Sequence, residues 1–214
     1  MAQRRTIKRI IGGLGFFLAG GTTAAALSFS GQPQRPSAAV AAPRTPASGR
    51  IALSEASVQQ ALAQGLVDRP VRSVLNVPAR MHYGDYRWDD AGVPAGPTWV
   101  RVDLDRQLLS VFRGGDEIGT AVILYGANSV PTPTGKFPVL AKLKNHRSAT
   151  YDAAMPYTLR LTADGVSIHA SNVRWGYATH GCIGVPEAFA ARLFDAVKLG
   201  DEVLVVGGHG PRLG

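Results

Sequence analysis

A single cysteine, Cys182, stands among the 214 residues. That scarcity excludes an intramolecular disulfide and any zinc site built on paired thiolates. Acidic residues are missing from the first fifty positions, which hold seven basic ones (Arg4, Arg5, Lys8, Arg9, Arg35, Arg44 and Arg50). The formal net charge of +8 therefore belongs to the N-terminal part, because residues 51–214 carry sixteen basic against fifteen acidic side chains. A body so nearly neutral has no electrostatic footprint for DNA or RNA, and nucleic acid is not an expected partner. Internal repeats are also absent. Gly135-Lys136 fails as a phosphate loop because Phe137 follows where Ser or Thr is needed.

What is present suits one globular domain with appendages: 45% of residues are hydrophobic and 18% charged. Residues 1–30 read as a targeting segment. Four positive charges fall within the first nine residues, and residues 10–29 then run without a charge. This is the pattern of a signal peptide, and it is also long enough to be an N-terminal membrane anchor. The expected location is the cell envelope (the periplasm), with membrane contact only through residues 10–29. Residues 31–49 hold Pro33, Pro36, Pro43 and Pro46 among small and polar residues, and read as an extended linker. Residues 50–97 form a short extension of unassigned role, in which Val58, Leu62 and Leu66 predict a helix over 54–66. Tyr83, Tyr86 and Trp88, near Asp85, Asp89 and Asp90, read as a packed loop or as a cap over the body of the chain.

From Thr98 to residue 207 the texture is β, and residues 208–214 are a tail. Strands are predicted near 99–102 and 108–112 around a turn at Asp103-Leu104-Asp105-Arg106. Gly114-Gly115 separates the run ending at Phe112 from one over 118–125, a hairpin signal. Further strands are expected over 136–143, 157–161, 166–169 and 202–206. One helix begins at Pro186 and buries Phe189, Leu193 and Val197, with Lys198 and Gly200 closing it. The fold class is mainly β with one C-terminal-side helix.

The chemistry gathers around the lone thiol. His169 ends a predicted strand, and Thr179-His180-Gly181-Cys182 follows on a loop rich in small residues. A thiol that attacks a carbonyl needs a base, and an imidazole is the usual one. A catalytic Cys182 would be expected to show a depressed pKa. Main-chain N–H groups at Gly181 and Cys182, close to the start of a helix, suit a developing oxyanion. His169, His180 and Cys182 would also serve as a His₂Cys metal set, but no acidic residue or second thiol is spaced to complete it. His82, His146 and His209 read as surface residues.

These residues resemble the active-site signature of the L,D-transpeptidase (YkuD-type) catalytic domain. Thr179-His180-Gly181-Cys182, with His169 thirteen residues before the cysteine, carries the likeness. Val102-Asp103-Leu104 through Phe112, Thr132-Pro133-Thr134-Gly135-Lys136-Phe137 and Met155-Pro156-Tyr157 extend it over about residues 98–207. The resemblance implies a β-sandwich catalytic domain, no cofactor and no metal. It implies peptidoglycan stem peptides as substrate, Cys182 as nucleophile and His169 as general base. D-Alanine leaves, a thioester forms, and an amine of a second stem or of an envelope protein captures the acyl group. Gly181, Cys182, His180 and Thr179 would shape the site, with Arg174 and Tyr157 as substrate contacts. Two other outcomes share these residues: a hydrolase using water as acceptor, and a non-catalytic peptidoglycan-binding relative. Three positions depart from the family pattern. Thr179 replaces Ser, Ala170 replaces Gly or Ser, and Gly184 stands where Arg or Asn is common.

Overall fold

Gly114 has φ 60°, a value glycine reaches without steric cost, and it turns the chain between two strands rich in β-branched and aromatic residues. That hairpin is the centre of the larger of two sheets. A computed structural model of the chain describes residues 49–207, apart from 149 and 151. The leader, nearly all of the linker, the tail and His209 lie outside the described residues. In chain order the elements are β1 (Arg50–Ala52), α1 (Glu55–Ala63), β2 (Ser73–Leu75), β3 (Tyr86–Trp88), β4 (Thr98–Asp103) and β5 (Leu108–Arg113). They continue with β6 (Asp116–Val122), β7 (Gly135–Pro138), β8 (Ala141–Leu143), β9 (Thr158–Arg160) and β10 (Ser167–Ala170). The last three are β11 (Ile183–Val185), α2 (Glu187–Ala196) and β12 (Glu202–Val206).

The larger sheet runs β1-β2-β6-β5-β4-β12-β7, with β3 sharing the edge of β6. The smaller runs β11-β10-β9-β8. Val100, Val102, Leu109, Val111 and Ile118 from the large sheet, and Leu159, Ile168 and Ile183 from the small one, belong to a single buried core. Helix α2 adds Phe189 and Leu193 to it, as its apolar stripe predicts, and each is worth about 2–3 kcal/mol on burial. The fold is mainly β, as the strand pattern predicts, and has the two packed sheets that the resemblance implies, with α1 as a second helix on the surface. Ser54 caps α1 by accepting the Ser57 N–H at 3.2 Å, and none of the helix is buried.

Two sequence expectations change. The apolar run over 136–143 is two strands, not one: β7 pairs with β12 in the large sheet, and β8 pairs with β9 in the small one. The chain crosses between sheets at Val139, whose buried side chain belongs to the shared core. The helix does not follow Cys182 directly, because β11 intervenes and Pro186 is the N-cap of α2.

The extension is built into the large sheet. Its β1 pairs with β2, while β2 and β3 both pair with β6. A second apolar cluster forms where Val71 meets Trp99 and Phe112, whose rings stack at 4.1 Å between centroids. The buried Arg50 guanidinium donates to the carbonyls of Glu117 and Asp89. Glu117, buried in turn, accepts the Leu75 N–H at 2.8 Å, and burial pushes its carboxyl above the usual range.

Candidate active site

In β10, Ile168 faces the core, so its neighbours Ser167 and His169 face the other way. The parallel register sets Ile168 beside Ile183 and His169 beside Gly184. Continued by one residue, it brings Cys182 alongside Ser167. Cys182 and His169 therefore lie on one face of adjacent strands, as diagonal neighbours. This is how a strand end and a returning loop bring together two residues thirteen apart.

His169 Nδ1 lies 2.8 Å from the Ala170 carbonyl oxygen. A carbonyl only accepts, so the proton sits on Nδ1 and Nε2 keeps its lone pair. Burial holds the imidazole pKa below the ordinary histidine value; the Ala170 bond opposes this, and the nearby His146 charge adds to it. The half-buried Cys182 thiol points toward the Gly165 carbonyl at 3.9 Å. Its pKa is pushed up by burial, against a main-chain bond from Ser167 and with a contribution from the Asp164 charge. The thiol is thus raised where a depressed value was expected. Both directions favour the uncharged forms, a protonated thiol and a neutral imidazole.

Several backbone contacts fix the loop. Thr179 Oγ1 donates to the Cys182 carbonyl at 2.5 Å, and its N–H donates to the Tyr125 carbonyl at 3.0 Å. The Ala127 N–H bonds the Thr179 carbonyl at 2.9 Å. Gly181 has φ 98°, which only glycine adopts readily, and a side chain there would turn toward the Pro131 carbonyl. Thr132 Oγ1 accepts the Gly126 N–H at 2.8 Å, tying the Thr132–Phe137 motif to the isolated bridge between Gly126 and Thr179. Among the turn and loop bonds of the described residues, none uses the N–H of Gly181 or Cys182.

Gly184 is gripped from both sides. It exchanges two main-chain bonds of 2.9 Å with Leu124, and a Cβ on it would sit 2.7 Å from the Ser171 Cβ. The longer residues common at this position have no room here, which is the physical reason for that departure.

The other predicted residues are spread around this centre. His180 is exposed on the loop. Arg174 is exposed and donates to Asn172 Oδ1 at 2.8 Å. Tyr157, at φ 57°, packs its ring edge-on against Phe194 at 5.9 Å, while the adjacent Pro156 carbonyl takes the Ala170 N–H. Sequence reasoning missed Asp164 and His146, which reach the pair only through the fold. The turn signal at Ala163-Asp164-Gly165 was the available clue to the first. Among the described residues no cluster of three or more His, Cys, Asp or Glu side chains would hold a metal ion. None of their helices is long and apolar enough to cross a membrane.

Residues 97–205 match the model of the YkuD family, the L,D-transpeptidase catalytic domain. Over 136 residues the chain is 33% identical to L,D-transpeptidase 1 of Mycobacterium tuberculosis strain H37Rv, covering 54% of this chain and 53% of that protein. The chain thus spans about half the length of the curated relatives it matches. Among solved structures, an L,D-transpeptidase from Stackebrandtia nassauensis is 25% identical with a TM-score of 0.49, over 52% of this chain and 56% of that one. A cysteine-to-serine mutant of Enterococcus faecium L,D-transpeptidase is 27% identical with a TM-score of 0.48, over 52% of this chain and 50% of that one.

Proposed function

The chain belongs to the L,D-transpeptidase catalytic domain family, and on that footing we propose that it is a peptidoglycan transpeptidase acting through a Cys182 thioester. The observation that carries the reading is the shared face of β10 and β11, where the His169 tautomer leaves Nε2 ready to accept a proton. As the thiol sulfur attacks the carbonyl of the third stem residue, its proton passes to Nε2. The tetrahedral oxyanion is received by the N–H groups of Gly181 and Cys182. Collapse breaks the peptide bond, and Nε2 returns its proton to the departing D-alanine amine. An acceptor amine then attacks the thioester and loses a proton to Nε2, which restores the thiol as the new amide forms.

Because both partners rest neutral, proton transfer accompanies attack instead of preceding it. A thiol is nucleophilic enough for one well-placed base to suffice. Arg174, on the loop between His169 and Cys182, suits a stem carboxylate, and Tyr157 directly precedes β9, which pairs with the strand that carries His169. The basic leader and the uncharged residues 10–29 support export to the cell envelope, with that segment as signal or anchor.

The test incubates the full chain and its Cys182→Ala variant with a disaccharide-tetrapeptide, following D-alanine release and protein mass together. The expected result is release with a transient acyl adduct on the unmodified chain and neither on the variant. The mass of the product names the acceptor: a second stem, another amine or water. Folded protein giving no release and no adduct would overturn the transferase.

A further inference from the structure

Strands β9 and β10 are joined by a tight hairpin whose tip lies next to the nucleophile. Thr162 builds that tip: its carbonyl accepts the Gly165 N–H at 3.2 Å, and its Oγ1 accepts the Val166 N–H at 2.9 Å. Leu161 closes the base by donating its N–H to the Val166 carbonyl at 2.8 Å. Gly165 takes φ 105°, a conformation that suits glycine. Its carbonyl receives both the Ser167 hydroxyl at 2.8 Å and the Cys182 thiol at 3.9 Å. The parallel pairing of β10 with β11 accounts for this approach, since it sets Cys182 alongside the first residue of β10.

Asp164 occupies the tip, directly before the glycine that contacts the sulfur. It is exposed, and among the described residues no Lys, Arg or His forms an ion pair with it. Arg160 lies in register with Ser167 across the hairpin and leaves the carboxylate unpaired. The charge is still felt at the thiol, whose pKa it helps to raise. A carboxylate so placed opposes a thiolate and does not assist acylation. Its sign suits the other half of the reaction, in which a side-chain amine arrives as an ammonium ion.

We propose that Asp164 determines acceptor specificity: it draws a cationic amine to the Cys182 thioester and so favours aminolysis over hydrolysis. This role rests on the transpeptidase reading and names the acceptor class that the reading leaves open. The ammonium ion pairs with the carboxylate, releases one proton to solvent and attacks the thioester carbon as the free amine. As the C–N bond forms, Nε2 of His169 takes the second amine proton. The C–S bond then breaks, and Nε2 returns that proton to the sulfur. Water, being uncharged, gains nothing from the carboxylate.

The experiment gives a disaccharide-tetrapeptide, as both donor and acceptor, to the full chain and to its Asp164→Asn and Asp164→Glu variants. The readout is the ratio of crosslinked product to hydrolysed tripeptide. That ratio is set after the acyl-enzyme forms and does not depend on how fast it forms. Asp164→Asn is expected to lower it about fivefold, the size of one exposed carboxylate–ammonium contact, and Asp164→Glu to keep most of it. Added salt is expected to lower the ratio for the parent and leave it nearly flat for Asp164→Asn. With hydroxylamine, uncharged near neutral pH, as acceptor, the parent and Asp164→Asn are expected to partition alike. An equal crosslinking ratio in the parent and Asp164→Asn, or an equal loss with hydroxylamine, would overturn the role of Asp164. Release of D-alanine with tripeptide as the only product would overturn that role and leave the thioester chemistry standing. No release from the folded parent would overturn the transpeptidase reading and this role with it.

Discussion

Burial acts in opposite directions on the two central side chains: it keeps the Cys182 thiol protonated and the His169 imidazole uncharged. The sign for activity follows. Because the base must be neutral and its pKa lies below the ordinary 6.5, D-alanine release should persist as pH falls past that value. It should be lost only as pH drops through the lower, folded value. Because the thiol is raised, its alkylation by iodoacetamide in the free protein should climb only at pH above the ordinary thiol range. A rate already at its plateau near neutral pH would show an ion pair and sink the neutral resting state. The two residues were legible in the sequence because a lone cysteine after His180-Gly181 leaves few choices of nucleophile. Asp164 and His146 were not, since each arrives beside the pair through strand register and loop closure, with no fixed spacing to read. The thiol's raised pKa was hidden for the same reason: burial is a property of the packed state.

Single elements were readable in proportion to their length. Strands β4, β5 and β12 carry five or six residues of apolar or β-branched pattern and form close to where that pattern puts them, whereas β6 starts at Asp116 and ends at Val122, ahead of the run expected over 118–125. Strands β1, β2 and β3 have three residues apiece, too few to show a period; β2 and β3 form by pairing with β6, and β1 by pairing with β2. The break between β7 and β8 has no glycine to announce it; Val139 is drawn into the core, and the chain changes sheets around it. Strand β11 is governed by close approach. Gly184→Asn should destabilise the fold by about 1–3 kcal/mol, the usual cost of forcing atoms into a packed site. Ser171→Gly in the same chain should recover most of it, as read from denaturant melts. An Asn variant as stable as the parent would show that the strand has slack the contact denies.

Taken whole, the domain leans on the segment before it. A chain starting at residue 98 would lose β1, β2 and β3, uncover the stacked Trp99 and Phe112, and leave the Glu117 carboxylate without the Leu75 N–H. A buried acceptor deprived of its donor costs about 1–3 kcal/mol by itself, before the lost apolar contacts are counted. The shortened chain is expected to aggregate or to melt without a cooperative transition, checked by circular dichroism and size-exclusion chromatography. A folded monomer melting like the full chain would show the segment to be dispensable. At the far side of the same sheet lies β7, the outermost strand, with Lys136 and Pro138 among its four residues. An ammonium group and a residue with no N–H to give make poor partners for an incoming strand. That edge resists templated growth of one copy onto another, so crowding at a surface need not end in fibres.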